Sequence, residues 1–215
     1  MPERPFVAAI PATKSKESWQ IEFTTTPAAS DLEGLLAVLT FVREIPDSSE
    51  AMSREIASSY LQWTLAARGW GPARLISDKE VTPLSGKEPL RIEDTLFGKV
   101  NVLGEAEEWG LYLLRIAPGK LIPLHFHKRL AESELILSPG LHLQGQAVAV
   151  GTAIDWPRQW PHAYANPTNQ EQVILCIDRP PFDPEDEVLC HEEATQNLAT
   201  PARFRHIPGV RAFVP

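Results

Sequence analysis

The chain of 215 residues has only two cysteines, Cys176 and Cys190, too few for a disulfide framework, so a packed core has to supply its stability. Dense runs of lysine or arginine are absent, and the net charge of −8 with a pI of about 5.3 repels polyanions. Nucleic acid and anionic membrane surfaces are therefore not expected partners. No apolar stretch is long enough to span a bilayer, and the opening MPERPFVAAIPATKSKESW has neither a long apolar h-region nor a cleavage site. A cytoplasmic protein with reduced thiols is the resulting expectation. Internal repeats and low-complexity tracts are also lacking, which leaves an ordinary folded chain, 43% hydrophobic and 22% charged.

What is present divides by texture. Ser30 followed by Glu33, ahead of Leu35, Leu36 and Leu39, reads as a capping box opening an amphipathic helix that Pro46 stops. Asp47 and Glu50 repeat the start signal, and Met52, Ile56, Tyr60 and Trp63 recur at helical spacing until Gly69 and Gly71. Residues 72–95, rich in Pro, Ser, Gly and charge, read as a connector with at most a short strand. A lone helix pair buries little surface, so residues 1–95 are expected to pack as an extension against the rest of the fold or a second subunit. After residue 96 short apolar runs alternate with turns: Gly110 to Ala117, Glu134 to Leu137, Gln146 to Val150 and Gln172 to Ile177. This spacing predicts a mainly β fold, a sandwich or barrel.

Within that β region, His125 and His127 lie two apart in LIPLHFHKRL, so a strand would turn both imidazoles to one face. Glu132 follows after a gap that leaves room for a returning turn, and His162 offers a further imidazole later in the chain. Three nitrogens and one carboxylate form a ligand set for a transition metal.

The spacings resemble the motifs of the cupin superfamily. The first motif (Gly, five residues, His-x-His, three or four residues, Glu) is matched from Gly119 through Glu132, although seven residues instead of six then lead to Gly140. In the second, Gly151, Pro157, His162 and Asn166 fall into register, with Gln159 at the position of the middle glycine. DRPPFDPEDE, residues 178–187, is similar to the tail after the last strand of single-domain cupins. The resemblance implies a jelly-roll barrel over residues 96–188, with residues 189–215 as a C-terminal tail. It implies His125, His127, Glu132 and His162 as ligands of one divalent metal (Fe, Mn, Ni, Co, Zn or Cu). Glu134 shares strand parity with Glu132 and is the alternative carboxylate.

An octahedral ion held this way keeps open positions for a small oxygen-bearing molecule. The expected function is a metal-dependent enzyme, with dioxygenase chemistry ahead of isomerase or lyase chemistry. The alternative is a non-catalytic barrel that binds a sugar or metabolite on the metal. Beside the ligands, Tyr164 has the parity of His162 and is a candidate proton donor. Arg115, the basic residue of an apolar run, and His142 are candidates to line the substrate pocket, and Trp156 and Trp160 to wall its mouth. A small-molecule ligand and a second copy of the chain are the expected partners.

Overall fold

The computed structural model describes residues 5–10, 18–77, 80–190 and 202–210. It divides into two compact units, one running to Pro89 and the other beginning at Leu90.

The first unit is more than a helix pair. Strands β1 (Phe6–Ile10) and β2 (Trp19–Phe23) precede helices α1 (Ala29–Arg43) and α2 (Glu50–Arg68), and β3 (Ala73–Ser77) and β4 (Glu80–Leu84) follow them. The strands form an antiparallel sheet in the order β1-β2-β3-β4. In WQIEF the alternation buries Trp19, Ile21 and Phe23, and Ala73 and Leu75 of β3 join them in the core with Leu39, Phe41, Ile56 and Leu61 of the helices. The guanidinium of Arg43 lies 4.6 Å over the Trp19 ring, whose indole N–H donates to Glu50 Oε1 at 2.7 Å. The expected connector thus contains β3 and β4, and Pro83 is tolerated because β4 is an edge strand that needs no donor on its outer side. The helix starts also differ from the expected ones. Ser30 lies inside α1, whose N-cap is Ala28, and α2 is capped by Ser49, whose hydroxyl accepts from the Met52 N–H at 3.1 Å. Gly69 ends α2 in the left-handed conformation its position predicts.

The second unit contains β5 (Arg91–Asp94), β6 (Gly98–Glu105), β7 (Gly110–Ile116), β8 (Leu121–His127), β9 (Ala131–Ile136), β10 (His142–Leu143), β11 (Gln146–Ala147), β12 (Thr152–Trp156), β13 (His162–Ala165), β14 (Gln172–Arg179), β15 (Glu187–Leu189) and β16 (Arg203–His206). They form a seven-stranded sheet, β16-β12-β9-β14-β7-β6-β5, and a five-stranded sheet, β11-β10-β13-β8-β15. From β7 to β14 the chain crosses between the sheets, β7, β9, β12 and β14 in the larger and β8, β10, β11 and β13 in the smaller. That alternation, with antiparallel neighbours throughout, is the strand order of a jelly roll. Its apolar interior holds Ile116, Ile136, Leu143, Ile154, Tyr164 and Ile174.

The boundaries shift from those read in sequence. The chain from Arg91 to Asp94 belongs to the larger sheet, and the region read as tail supplies Leu189 to β15 and the whole of β16, which pairs with β12. Gly151 opens β12 at φ 81°, where an added Cβ would stand 2.7 Å from the Ile207 carbonyl oxygen, so a larger residue would push β16 from its neighbour.

Candidate metal centre

Strand alternation carries His125 and His127 to the same interior face of β8, and the antiparallel pairing of β13 sets His162 directly opposite His125. The His125 and His162 ring centroids are 4.4 Å apart, and those of His125 and His127 5.0 Å. The turn after β8 is tied down by Asp186, whose carboxylate accepts from the backbone N–H groups of Arg129 and Leu130 at 3.0 to 3.1 Å. Burial opposes charge on Asp186, but these N–H groups and the Arg129 guanidinium outweigh it and hold its pKa below the ordinary carboxylate value. So clamped, the turn returns the chain as β9 with Glu132 and Glu134 facing inward.

Glu132 meets the imidazoles. Its Oε2 lies 3.2 Å from His162 Nε2 and its Oε1 3.6 Å from His127 Nε2. One donor atom each from His125, His127 and Glu132 falls within 4.8 Å of the others, as do atoms of Glu132, Glu134 and His162. His125 Nδ1 contacts the Pro123 carbonyl at 2.9 Å and His162 Nδ1 the Trp160 carbonyl at 3.2 Å. Since a carbonyl only accepts, both rings carry their proton on Nδ1 and keep an Nε2 lone pair for a Lewis acid.

Electrostatics agree with that role. Burial, reinforced by His125, pushes the His127 pKa down to about 4, and the same two causes lower that of His162. Burial raises the Glu132 pKa, and Asp178 and Glu134 raise it further. A buried carboxylate beside the neutral imidazoles of His127 and His162, with the His127 Nδ1 buried and unpartnered, is costly on its own. The donor set fits a divalent transition metal, which takes imidazole nitrogen and carboxylate oxygen together, whereas magnesium and calcium call for oxygen ligands.

Glu134 has a different setting. Its Oε2 accepts from both the Trp156 indole N–H and the Tyr164 hydroxyl, and burial raises its pKa to about 7 against the pull of those donors. Trp156 also stacks on His162, with centroids 4.6 Å apart and planes 7° from parallel. Trp156 is thus a buried member of the apolar core, and Trp160 packs partly buried against the same cluster, rather than the two forming the rim of a mouth. Tyr164 is interior, as its parity requires, and its hydroxyl is directed at Glu134.

Arg115 and His142 do not line the interior. In β14, Ile174 and Cys176 face inward opposite Leu114 and Tyr112, so Arg115, one residue on, faces the other side, where its Nε donates to Glu171 Oε1 at 2.8 Å. In β10, Leu143 pairs with the inward Tyr164, which turns the adjacent His142 outward opposite Ala165. Period-two alternation corrects both expectations. It also finds what sequence reading overlooked: Cys176 and Asp178 of β14 lie inward, the Cys176 thiol 3.0 Å from Asp178 Oδ1 and 3.9 Å from Glu132 Oε1.

The motif residues outside the ligands shape turns. Asn166 donates to the carbonyls of Ile116 and Gln170 at 2.8 and 2.7 Å and accepts from the Thr168 N–H at 3.0 Å. Gln159, at the position of the motif glycine, has φ 64°, and its N–H donates to the His127 carbonyl at 2.7 Å. The position keeps its left-handed backbone although a side chain now occupies it.

No family model matches the chain, and no curated protein matches it. Similar solved structures include a protein from Planctomyces limnophilus, 22% identical, covering 45% of this chain and 87% of that one at a TM-score of 0.38. KdgF from Halomonas sp. is 14% identical over 46% of this chain and 97% of its own, with a TM-score of 0.39. An oxalate decarboxylase from B. subtilis is 18% identical at a TM-score of 0.39, and 46% of this chain matches only 30% of that one. Likenesses of this size transfer no activity. By the strand order of its own two sheets, the second unit is a jelly-roll barrel.

Proposed function

We propose that the barrel binds one divalent transition metal through His125, His127, Glu132 and His162 and uses it on a small oxygen-bearing molecule. The observation that carries this reading is the meeting of Glu132 with two imidazole Nε2 atoms, while backbone carbonyls fix the opposite nitrogens of His125 and His162. When bound, such an ion acts as a Lewis acid on substrate oxygens or supports dioxygen chemistry. Dioxygenase chemistry, which needs a redox-active ion such as iron, manganese or copper in this site, is placed ahead of isomerase or lyase chemistry, which a redox-inert ion also supports.

The chain's own groups have distinct tasks in this scheme. His125 and His162 are oriented by their carbonyl partners, and Trp156 packs flat against His162 and excludes water from that side. Glu134 is a proton store. Because its Oε2 already accepts two hydrogen bonds, a proton carried by this carboxyl resides on Oε1. Tyr164 positions Glu134. The test is turnover by the metal-loaded protein under air against catechols, hydroxy acids, sugars and dicarbonyls, with Glu134→Gln as a control that keeps the metal. Activity that requires the metal and falls in Glu134→Gln supports an enzyme. A metal-loaded protein that binds members of the panel but turns over none of them favours the metal-anchored binding protein.

A further inference from the structure

Among the described residues the inward rows of the barrel strands carry one cation, Arg91 of the edge strand β5, whose register with Val102 and Tyr112 sets it on that face and whose guanidinium is held by Glu105 and Glu93. Toward the metal centre the larger sheet ends in Glu132, Glu134, Trp156 and Asp178, and the smaller in the histidines and Tyr164. The arginines of these strands and their flanks are engaged elsewhere: Arg115 with Glu171, Arg129 with Asp183 and Asp186, and Arg205 with Asp155. Lys128 and Arg158 stand in turns, exposed to water, where a charge pair is worth little. A ligand carboxylate or phosphate entering this interior would meet buried carboxyl groups, while the inward cation, Arg91, is already paired with Glu105 and Glu93 at the sheet edge.

What the centre does offer is aromatic surface. Phe182 meets the His127 ring edge-on at 5.8 Å and remains 41% exposed. Phe204 meets Trp156, the ring stacked on His162, edge-on at 5.7 Å and is 57% exposed. Neither ring is loosely held. The Phe182 N–H donates to the Tyr112 hydroxyl at 3.1 Å, and Phe204 sits in β16 opposite Ile154, on the inward side of its strand pair. Large apolar rings left half in water beside a ligand centre are surface that a bound molecule would cover.

We propose that this centre selects an uncharged, ring-bearing molecule that reaches the metal through paired hydroxyl or carbonyl oxygens and packs against Phe182 and Phe204, and that it discriminates against carboxylate and phosphate ligands. The inference rests on the metal reading above. Its test uses the full chain loaded with cobalt(II), with bound cobalt counted first and its visible spectrum then followed during titration with catechol, 3,4-dihydroxybenzoate and oxalate. Catechol binds roughly tenfold or more tightly than either carboxylate, a difference of about 1.4 kcal/mol. Phe182→Ala and Phe204→Ala each weaken catechol by about two- to tenfold, the range of one aromatic contact, with cobalt content unchanged. Equal or tighter binding of oxalate or 3,4-dihydroxybenzoate, or unaltered catechol binding in both variants, overturns the substrate class and leaves the metal reading standing. A wild-type protein that holds no cobalt overturns both.

Discussion

Glu132 and His162 face each other across the barrel interior, with Oε2 of the one 3.2 Å from Nε2 of the other. They come from β9 and β13, strands of different sheets, so the contact depends on the closed jelly roll rather than on a local motif. Its neighbour Glu134 is engaged by Trp156 and Tyr164. Glu132→Gln is therefore expected to lower metal affinity by more than about a hundredfold, and Glu134→Gln by less, since about ten- to a hundredfold is the scale of losing an orienting partner. Competition titration with a chromogenic chelator measures both. The reverse ranking would transfer the ligand role to Glu134.

Metal affinity should rise with pH. Burial, then Asp178 and Glu134, raise the Glu132 pKa above 4.5 in the metal-free fold, so binding has to displace a proton that the folded state holds. His127, with its pKa near 4, is already neutral above that value and contributes no slope. Across the range above pH 4.5 in which the folded, metal-free protein still holds that proton, binding releases it and the log of the affinity climbs with pH. The sign follows from the carboxyl being raised; a depressed one would be ionised already and give a flat profile. Zinc titrations across this range decide between the two.

Gln159 occupies a left-handed position that the related motif fills with glycine. Replacing it with glycine removes the clash of Cβ with its own backbone and leaves the N–H bond to His127 in place. Gln159→Gly is expected to stabilise the barrel by up to about 1 kcal/mol, the roughly 1–2 kcal/mol of left-handed strain relieved less the chain entropy that glycine adds to the unfolded state, without altering metal content. Chemical denaturation followed by barrel tryptophan fluorescence measures it, and a loss of stability would contradict the account of this turn.

The barrel was legible in the sequence because its signals are local: His125 and His127 alternate on one strand, and Gly119 and Gly151 mark turns with positive φ. His162 was legible only through motif spacing, since nothing local distinguishes an imidazole that the sheet pairing brings to His125. Arg115 and His142 were misplaced because one residue of strand phase reverses the face, and that phase is fixed by cross-strand register. The sheet of the first unit was passed over for related reasons. Trp19, Ile21 and Phe23 do alternate, but over five residues only, and Pro83 argues against a strand until β4 is known to lie at an edge. In β16, RFRH has no apolar alternation, and its place is set by its pairing with β12.

Elemental analysis of the full chain purified without added metal, alongside His162→Ala, tests the central claim most directly. His162 comes from a strand remote in sequence from the His125 and His127 pair and has its Nε2 on Glu132, so the proposed centre needs it. The wild type should carry about one transition-metal ion per chain, and His162→Ala, still folded by circular dichroism because apolar positions make the barrel core, should retain only a small fraction of it. A folded His162→Ala protein that keeps its full complement of metal would contradict the proposed centre.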